Sequence, residues 1–187
     1  EISECLVGSE MCIRDSLCTG IIALFTACSQ APQSPIDSVN PFIGTGFHGH
    51  TYPGATAPYG AVQLSPDTRK GNWDACSGYH CSDSTLLGFS HTHLSGTGCI
   101  DLGDILFRPS LQTPLAFSHS DEKASPGYYS VNLREAGVLA ELTTTPHVGI
   151  HRYTYKKGIE STLVVDMDHL LDNEYIYEGW VKQTGEN

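Results

Sequence analysis

Histidines, carboxylates and isolated aromatic residues crowd residues 39–104 of this chain. His48 and His50 flank a glycine in GFHGHTYPG, Trp73 and Asp74 stand together in NWDACSGYH, and His91 and His93 sit two apart in GFSHTHLSG. An indole offers a flat apolar face, and neighbouring Asp and His side chains exchange hydrogen bonds with hydroxyls; together they suit a polar ring such as a sugar. A tryptophan in such a setting also serves as a cap on a core. If residues 86–95 form a strand, His91 and His93 share a face. Two imidazoles on one face can ligate a metal, but a site needs a third ligand and an outer shell to orient it. A buried polar cluster and direct contact with a ligand are the other readings of this pair, and no metal site is assigned. The run from Gly44 to His50 lacks the GxxxxGK[ST] spacing and has no lysine after it, which excludes a phosphate-cradling loop. Asp67, Asp74, Asp101 and Asp104 are the carboxylates within reach of acid–base chemistry.

These residues need a scaffold, because few apolar positions recur among them at a fixed period. The composition is that of binding loops held by a rigid frame. Residues 61–65 alternate as a strand, with Val62 and Leu64 on one face and a turn at Pro66-Asp67-Thr68. Residues 105–108 form another short strand. From Ala124 onward the period is two: residues 126–133 alternate, Gly137 turns, and Val138, Ala140 and Leu142 oppose Leu139, Glu141 and Thr143. Residues 149–155 and 161–166 repeat the pattern, with Lys156-Lys157-Gly158 predicted as the hairpin between them. Residues 175–182 read as a last strand, 167–172 as a short helical turn, and His147, His151 and His169 as scaffold. The expectation is an all-β fold, an antiparallel β-sandwich.

The formal net charge is −11, with ten Lys and Arg among 187 residues, and this argues against nucleic acid as partner. Residues 1–16 are acidic where a leader is basic and resemble the conceptual translation of a sequencing adapter; they are set aside as non-native. Residues 17–28 (LCTGIIALFTAC) have the apolar length of a signal segment and end like a lipoprotein cleavage box, with Cys28 as the residue to be lipidated and Phe25 where leucine is usual. Residues 29–38 read as a linker and 39–187 as the folded domain, expected to be cut short at its C-terminal end. Of seven cysteines, Cys76, Cys81 and Cys99 belong to that domain, and no pair of CxxC units marks a structural zinc site.

Five blocks in order, VNPFIGTGxHGHTYPG, APYGAVQLSPD, WDxCSGYH, STLLGFSHTHLSGTG and DLGDIL, resemble the N-terminal domain of glycoside hydrolase family 92, the calcium-dependent exo-acting α-mannosidases of bacteria. The resemblance spans Val39 to about Lys182 and departs at Phe47, where many members carry a small residue. It implies an N-terminal β-sandwich packed on a C-terminal (α/α)₆ barrel, with a pocket between them that removes terminal α-mannose from glycans with inversion. It implies too that the catalytic acid and base and most calcium ligands come from the barrel, so no catalytic residue is assigned here. What carries over is the lining of a sugar pocket: Gly46, Phe47, His48, Trp73 and Asp74, then Cys76, His80, His91 and His93. The expected location is secreted, periplasmic or anchored by lipid at the outer membrane. The alternatives are a free-standing carbohydrate-binding lipoprotein without chemistry and a histidine-rich metal-binding protein.

Overall fold

A computed structural model describes residues 34–172, 174 and 176–185. The chain divides into two units, Glu1–Ser38 and Val39–Asn187. The described part of the first is a 3-10 turn, Pro35–Ser38, opened by a hydrogen bond from the Ser34 N–H to Asp37 Oδ2 at 3.1 Å. The expectations for residues 1–16, the leader at 17–28 and lipidation at Cys28 lie outside the described residues. Among those residues no helix is long and apolar enough to cross a membrane.

The second unit is an all-β, sandwich-like domain. Its strands are β1 (Ala55–Thr56), β2 (Gln63–Asp67), β3 (Thr85–Leu86), β4 (Gly88–Ser90), β5 (Leu106–Arg108), β6 (Leu115–Ala116), β7 (Glu122–Ser125), β8 (Tyr128–Leu133), β9 (Val138–Thr144), β10 (Gly149–Tyr155) and β11 (Val164–Asp166). They pair antiparallel in a five-stranded sheet ordered β1-β2-β4-β5-β11, a four-stranded sheet ordered β10-β9-β8-β7, and a small β3-β6 ribbon.

Period-two patterning builds the four-stranded sheet as expected. Tyr129 faces Leu142, Val131 faces Ala140 and Leu133 faces Val138 across β8 and β9. Same-face pairs of this kind are what stabilise a sheet. All six side chains are buried, and Leu64 and Phe89 from the five-stranded sheet, with Leu86 and Leu115 from the ribbon, close the core over most of them. Each large side chain so buried contributes roughly 1.5–3 kcal/mol.

Four expectations give way. β2 runs through Pro66 and Asp67 instead of turning there, pairing Pro66 with Phe89 and Asp67 with Gly88. β1 pairs only as far as Leu64, so Pro66 lies where β2 has one neighbouring strand and the missing N–H is tolerated. β11 does not return on β10; it pairs with β5, Val165 opposite Phe107, so residues 156–163 cross between sheets. Alternation identifies a strand but does not name its partner. Residues 167–172 form bends, and residues 176–185 contain no strand; Tyr177, Trp180 and Val181 stand exposed there. Leu171 is nevertheless anchored in the core, its N–H donating to Leu102 O at 2.8 Å and its carbonyl accepting from Gly71 at 2.7 Å.

Candidate functional site

Two loops meet at the surface. The first, residues 44–51, is a tight excursion closed by the Thr51 N–H to Gly44 O (3.3 Å) and tied to its surroundings by the Cys81 N–H to Thr45 O (2.9 Å) and the Gly96 N–H to His50 O (2.6 Å). Gly49 is required by this closure, because a Cβ there would lie 2.1 Å from Gly44 O. The second loop is a 3-10 turn, Trp73–Ala75, whose cap Asn72 accepts from the Asp74 N–H at 2.9 Å. Side-chain capping of an orphan amide holds such a turn in place.

These constraints bring His48, His50, Trp73 and Asp74 together. His48 Nδ1 lies 2.7 Å from Asp74 Oδ1. The Trp73 indole stands 5.0 Å from the His48 ring and 4.4 Å, edge to face, from the His50 ring. Its Nε1–H donates to Gly98 O at 3.0 Å, which fixes the plane of the indole while leaving Trp73 51% exposed. Phe47, 88% exposed, projects beside the cluster in sequence, and Gly46 lies against Cys81 Sγ. The result is an open aromatic wall with a carboxylate and an imidazole at its edge.

Behind the loops sits a buried carboxylate. Asp67, fully buried at the end of β2, accepts from Ser90 Oγ (2.6 Å) and from the Nε2 atoms of His93 (2.7 Å) and His169 (2.9 Å). Burial pushes the carboxyl up, but the facing His93 and the His169 hydrogen bond outweigh it and hold it at about 2. Gly78 permits this packing: it has φ +86°, and a Cβ there would meet Asp67 Oδ1 at 2.2 Å. The His93 Nδ1–H donates to Gln63 O at 2.6 Å, and its ring packs 5.1 Å from Tyr52, two residues after His50. A second buried carboxylate, Glu122 of β7, accepts from Tyr79 (2.9 Å) and Tyr129 (2.5 Å) and faces His119 Nδ1 at 2.6 Å. It ties the Trp73 segment to the four-stranded sheet.

His91 and His93 do not act together. The strand ends at Ser90, so His93 turns inward to Asp67 while His91 turns to β10. There a directed chain forms. Tyr153 Oη–H donates to His151 Nδ1 (2.8 Å), His151 Nε2–H to His91 Nε2 (3.1 Å), and His91 Nδ1–H to Ile105 O (3.1 Å). The chain is complete with both rings neutral: a further proton on His91 Nε2 would set two N–H groups against each other, and one on His151 Nδ1 would turn the Tyr153 hydroxyl from donor to acceptor. Burial, reinforced by His91, depresses His151 from 6.5 to about 4, and burial depresses His91 too. A lowered folded value means that the unfolded chain binds more protons between pH 6.5 and 4, so stability falls as pH drops through that window. The expected loss is roughly 2–3 kcal/mol. Urea unfolding at pH 7 and pH 4.5 will show it, and His151→Phe will flatten the slope.

Of the residues singled out in the sequence, Gly46, Phe47, His48, Trp73 and Asp74 therefore lie on the two meeting loops. Cys76 is buried beneath the 3-10 turn, where burial raises its thiol. His80 bonds to Ser82 Oγ at 2.8 Å, and His91 and His93 belong to the two scaffold networks above. Sequence reasoning passed over His50 as a site residue, although its two-residue spacing from His48 is visible. It also read His169 and His151 as plain scaffold, and no local signal links His169 to Asp67 from 102 residues away.

Residues 38–187 match the glycosyl hydrolase family 92 N-terminal domain. A family GH92 α-mannosidase from Bacteroides thetaiotaomicron, solved with mannoimidazole, superposes with a TM-score of 0.70 at 44% identity, over 73% of this chain and 20% of that one. A GH92 inverting mannosidase from the same organism gives 0.63 at 29% identity, over 74% and 20%. A protein of Arthroderma benhamiae described as an uncharacterized secreted glycosidase is 27% identical over 179 residues, covering 84% of this chain and 23% of the relative. The chain thus spans about a fifth of the length of these relatives. With the profile covering everything from the second unit's start onward and the solved relatives sharing its fold, the chain belongs to glycosyl hydrolase family 92, as the family's N-terminal domain.

Proposed function

We propose that this domain forms part of an inverting exo-α-mannosidase and supplies one wall of its sugar pocket. The observation that carries this reading is the juxtaposition of an exposed, fixed indole with His48 and Asp74 at its edge. A pyranose lays its C–H face on such a ring and leaves its hydroxyls to the polar rim. Relatives named as mannosidases, one of them inverting and one solved with mannoimidazole, support the substrate class.

Inversion needs an acid and a base on opposite sides of the sugar, spaced to admit water. Three of the four carboxylates singled out in the sequence are poorly suited to that role. Asp67 is sealed from solvent, Asp74 is engaged by His48, and Asp104 accepts from Thr92 Oγ1 at 2.6 Å. Both catalytic carboxyls are assigned to a C-terminal (α/α)₆ barrel domain. Calcium follows the same logic. It takes six to eight oxygen ligands, whereas the described residues gather one potential ligand group, His48, His50 and Asp74, in which nitrogen predominates. These residues do not fit calcium, and its site belongs with the barrel. A secreted or periplasmic location, with a lipid anchor through Cys28, completes the reading and accords with the relative called secreted.

The test is an assay of the chain alone and joined to a GH92 barrel domain. The isolated chain is expected to hydrolyse no α-mannoside and the joined protein to turn it over. Turnover by the isolated chain would refute the placement of the carboxyls. Sugar binding without turnover in the joined protein would favour a non-catalytic carbohydrate-binding module.

A further inference from the structure

We infer that His48, His50 and Asp74 form a binding site for a divalent first-row transition ion, Zn²⁺ foremost. One ligand atom from each lies within 4.8 Å of the other two. Two imidazoles and a carboxylate are the donor set that Zn²⁺ accepts with a water in the fourth position. Tetrahedral coordination places neighbouring donors about 3.4 Å apart, given bonds of roughly 2.0–2.1 Å. His48 Nδ1 and Asp74 Oδ1 are already closer than this, at 2.7 Å, and both side chains are exposed enough to adjust.

His50 supplies the independent observation. It is 7% exposed, and its Nε2 is buried without a hydrogen-bond partner. An unpaired polar atom at that depth costs about 1–3 kcal/mol. His50 nevertheless occupies a backbone position of φ +55°, in the cluster and edge-on to Trp73. An imidazole held there with one buried nitrogen unpaired has an atom free to ligate. The ion would replace the His48–Asp74 hydrogen bond by two coordinate bonds and draw His50 into the same centre. This goes beyond the reading of the loops as a sugar wall, because ligation asks nothing of a mannoside.

The experiment is calorimetric titration of the chain with Zn²⁺, and with Co²⁺ followed by its visible spectrum. The expected result is one saturable equivalent with nitrogen and oxygen ligation. Affinity should fall in His48→Gln, Asp74→Asn and His50→Gln by more than the roughly tenfold to hundredfold that loss of an outer-shell partner costs, and stay unchanged in His80→Gln. His48 and Asp74 are surface residues, so their variants remain informative even if His50→Gln folds poorly. No saturable uptake, uptake indifferent to His48→Gln, or a thiolate charge-transfer band marking cysteine ligation would each overturn the site. Metal uptake and mannoside turnover are separate readouts, so either reading can fail while the other stands.

Discussion

Asp67→Asn is expected to destabilise the domain by about 3–5 kcal/mol, a large share of the roughly 5–15 kcal/mol that holds a domain of this size together. The carboxylate is fully buried and accepts from three donors, Ser90, His93 and His169. An amide keeps one acceptor oxygen and turns its NH₂ toward donors, so hydrogen bonds are lost and buried donors are left unpaired. The surface change Asp74→Asn, which also removes a carboxylate facing a histidine, should alter stability by no more than about 0.5 kcal/mol. Urea unfolding of the two variants makes the comparison, and a cost below about 1 kcal/mol for Asp67→Asn would refute the account. The acid side follows with its sign. The folded carboxyl lies at about 2 against an ordinary 3.8, so its contribution is complete above 3.8 and drains away as pH falls toward 2. That acid limb should vanish in the asparagine variant.

Trp73→Ala, in the protein joined to its catalytic domain, is expected to lower kcat/KM on an α-mannoside by roughly a hundredfold, equivalent to about 2.7 kcal/mol of transition-state stabilisation. The indole is half-exposed, and its plane is set by the bond to Gly98 O. Alanine removes the stacking face, whereas Trp73→Phe keeps a face and loses only the tether, so phenylalanine should recover much of the activity. The thermal midpoint of the isolated domain should move little in either variant, because the side chain is not part of the main core. Wild-type kinetics in Trp73→Ala would sink the proposed sugar wall while leaving the fold and the metal site untouched.

The core was legible where local physics decides. Val138, Ala140 and Leu142 fall on one face and Leu139, Glu141 and Thr143 on the less buried other, and a strand with one buried face has few alternatives to that reading. The loop-rich character of residues 39–104 and their stock of imidazoles and aromatics were also plain, since composition needs no coordinates. Pro66 misled because a proline marks a turn in most contexts, and only the absence of a second neighbouring strand makes it harmless within β2. β11 misled because pairing with β5 is a long-range choice that period two does not encode.

What the chain's letters determined by themselves is which residue types are available, which segments extend, and, through five ordered blocks, which family they resemble. Tertiary structure decided which of those residues meet. His48 reaches Asp74 across 26 positions, and His169 reaches Asp67 across 102. His91 and His93, two apart in sequence, part company because one follows the carboxylate of β2 and the other follows β10. The physical reason is that a hydrogen bond to a buried carboxylate is won by whichever donor the packed sheets bring within about 3 Å, and sequence separation does not set that distance.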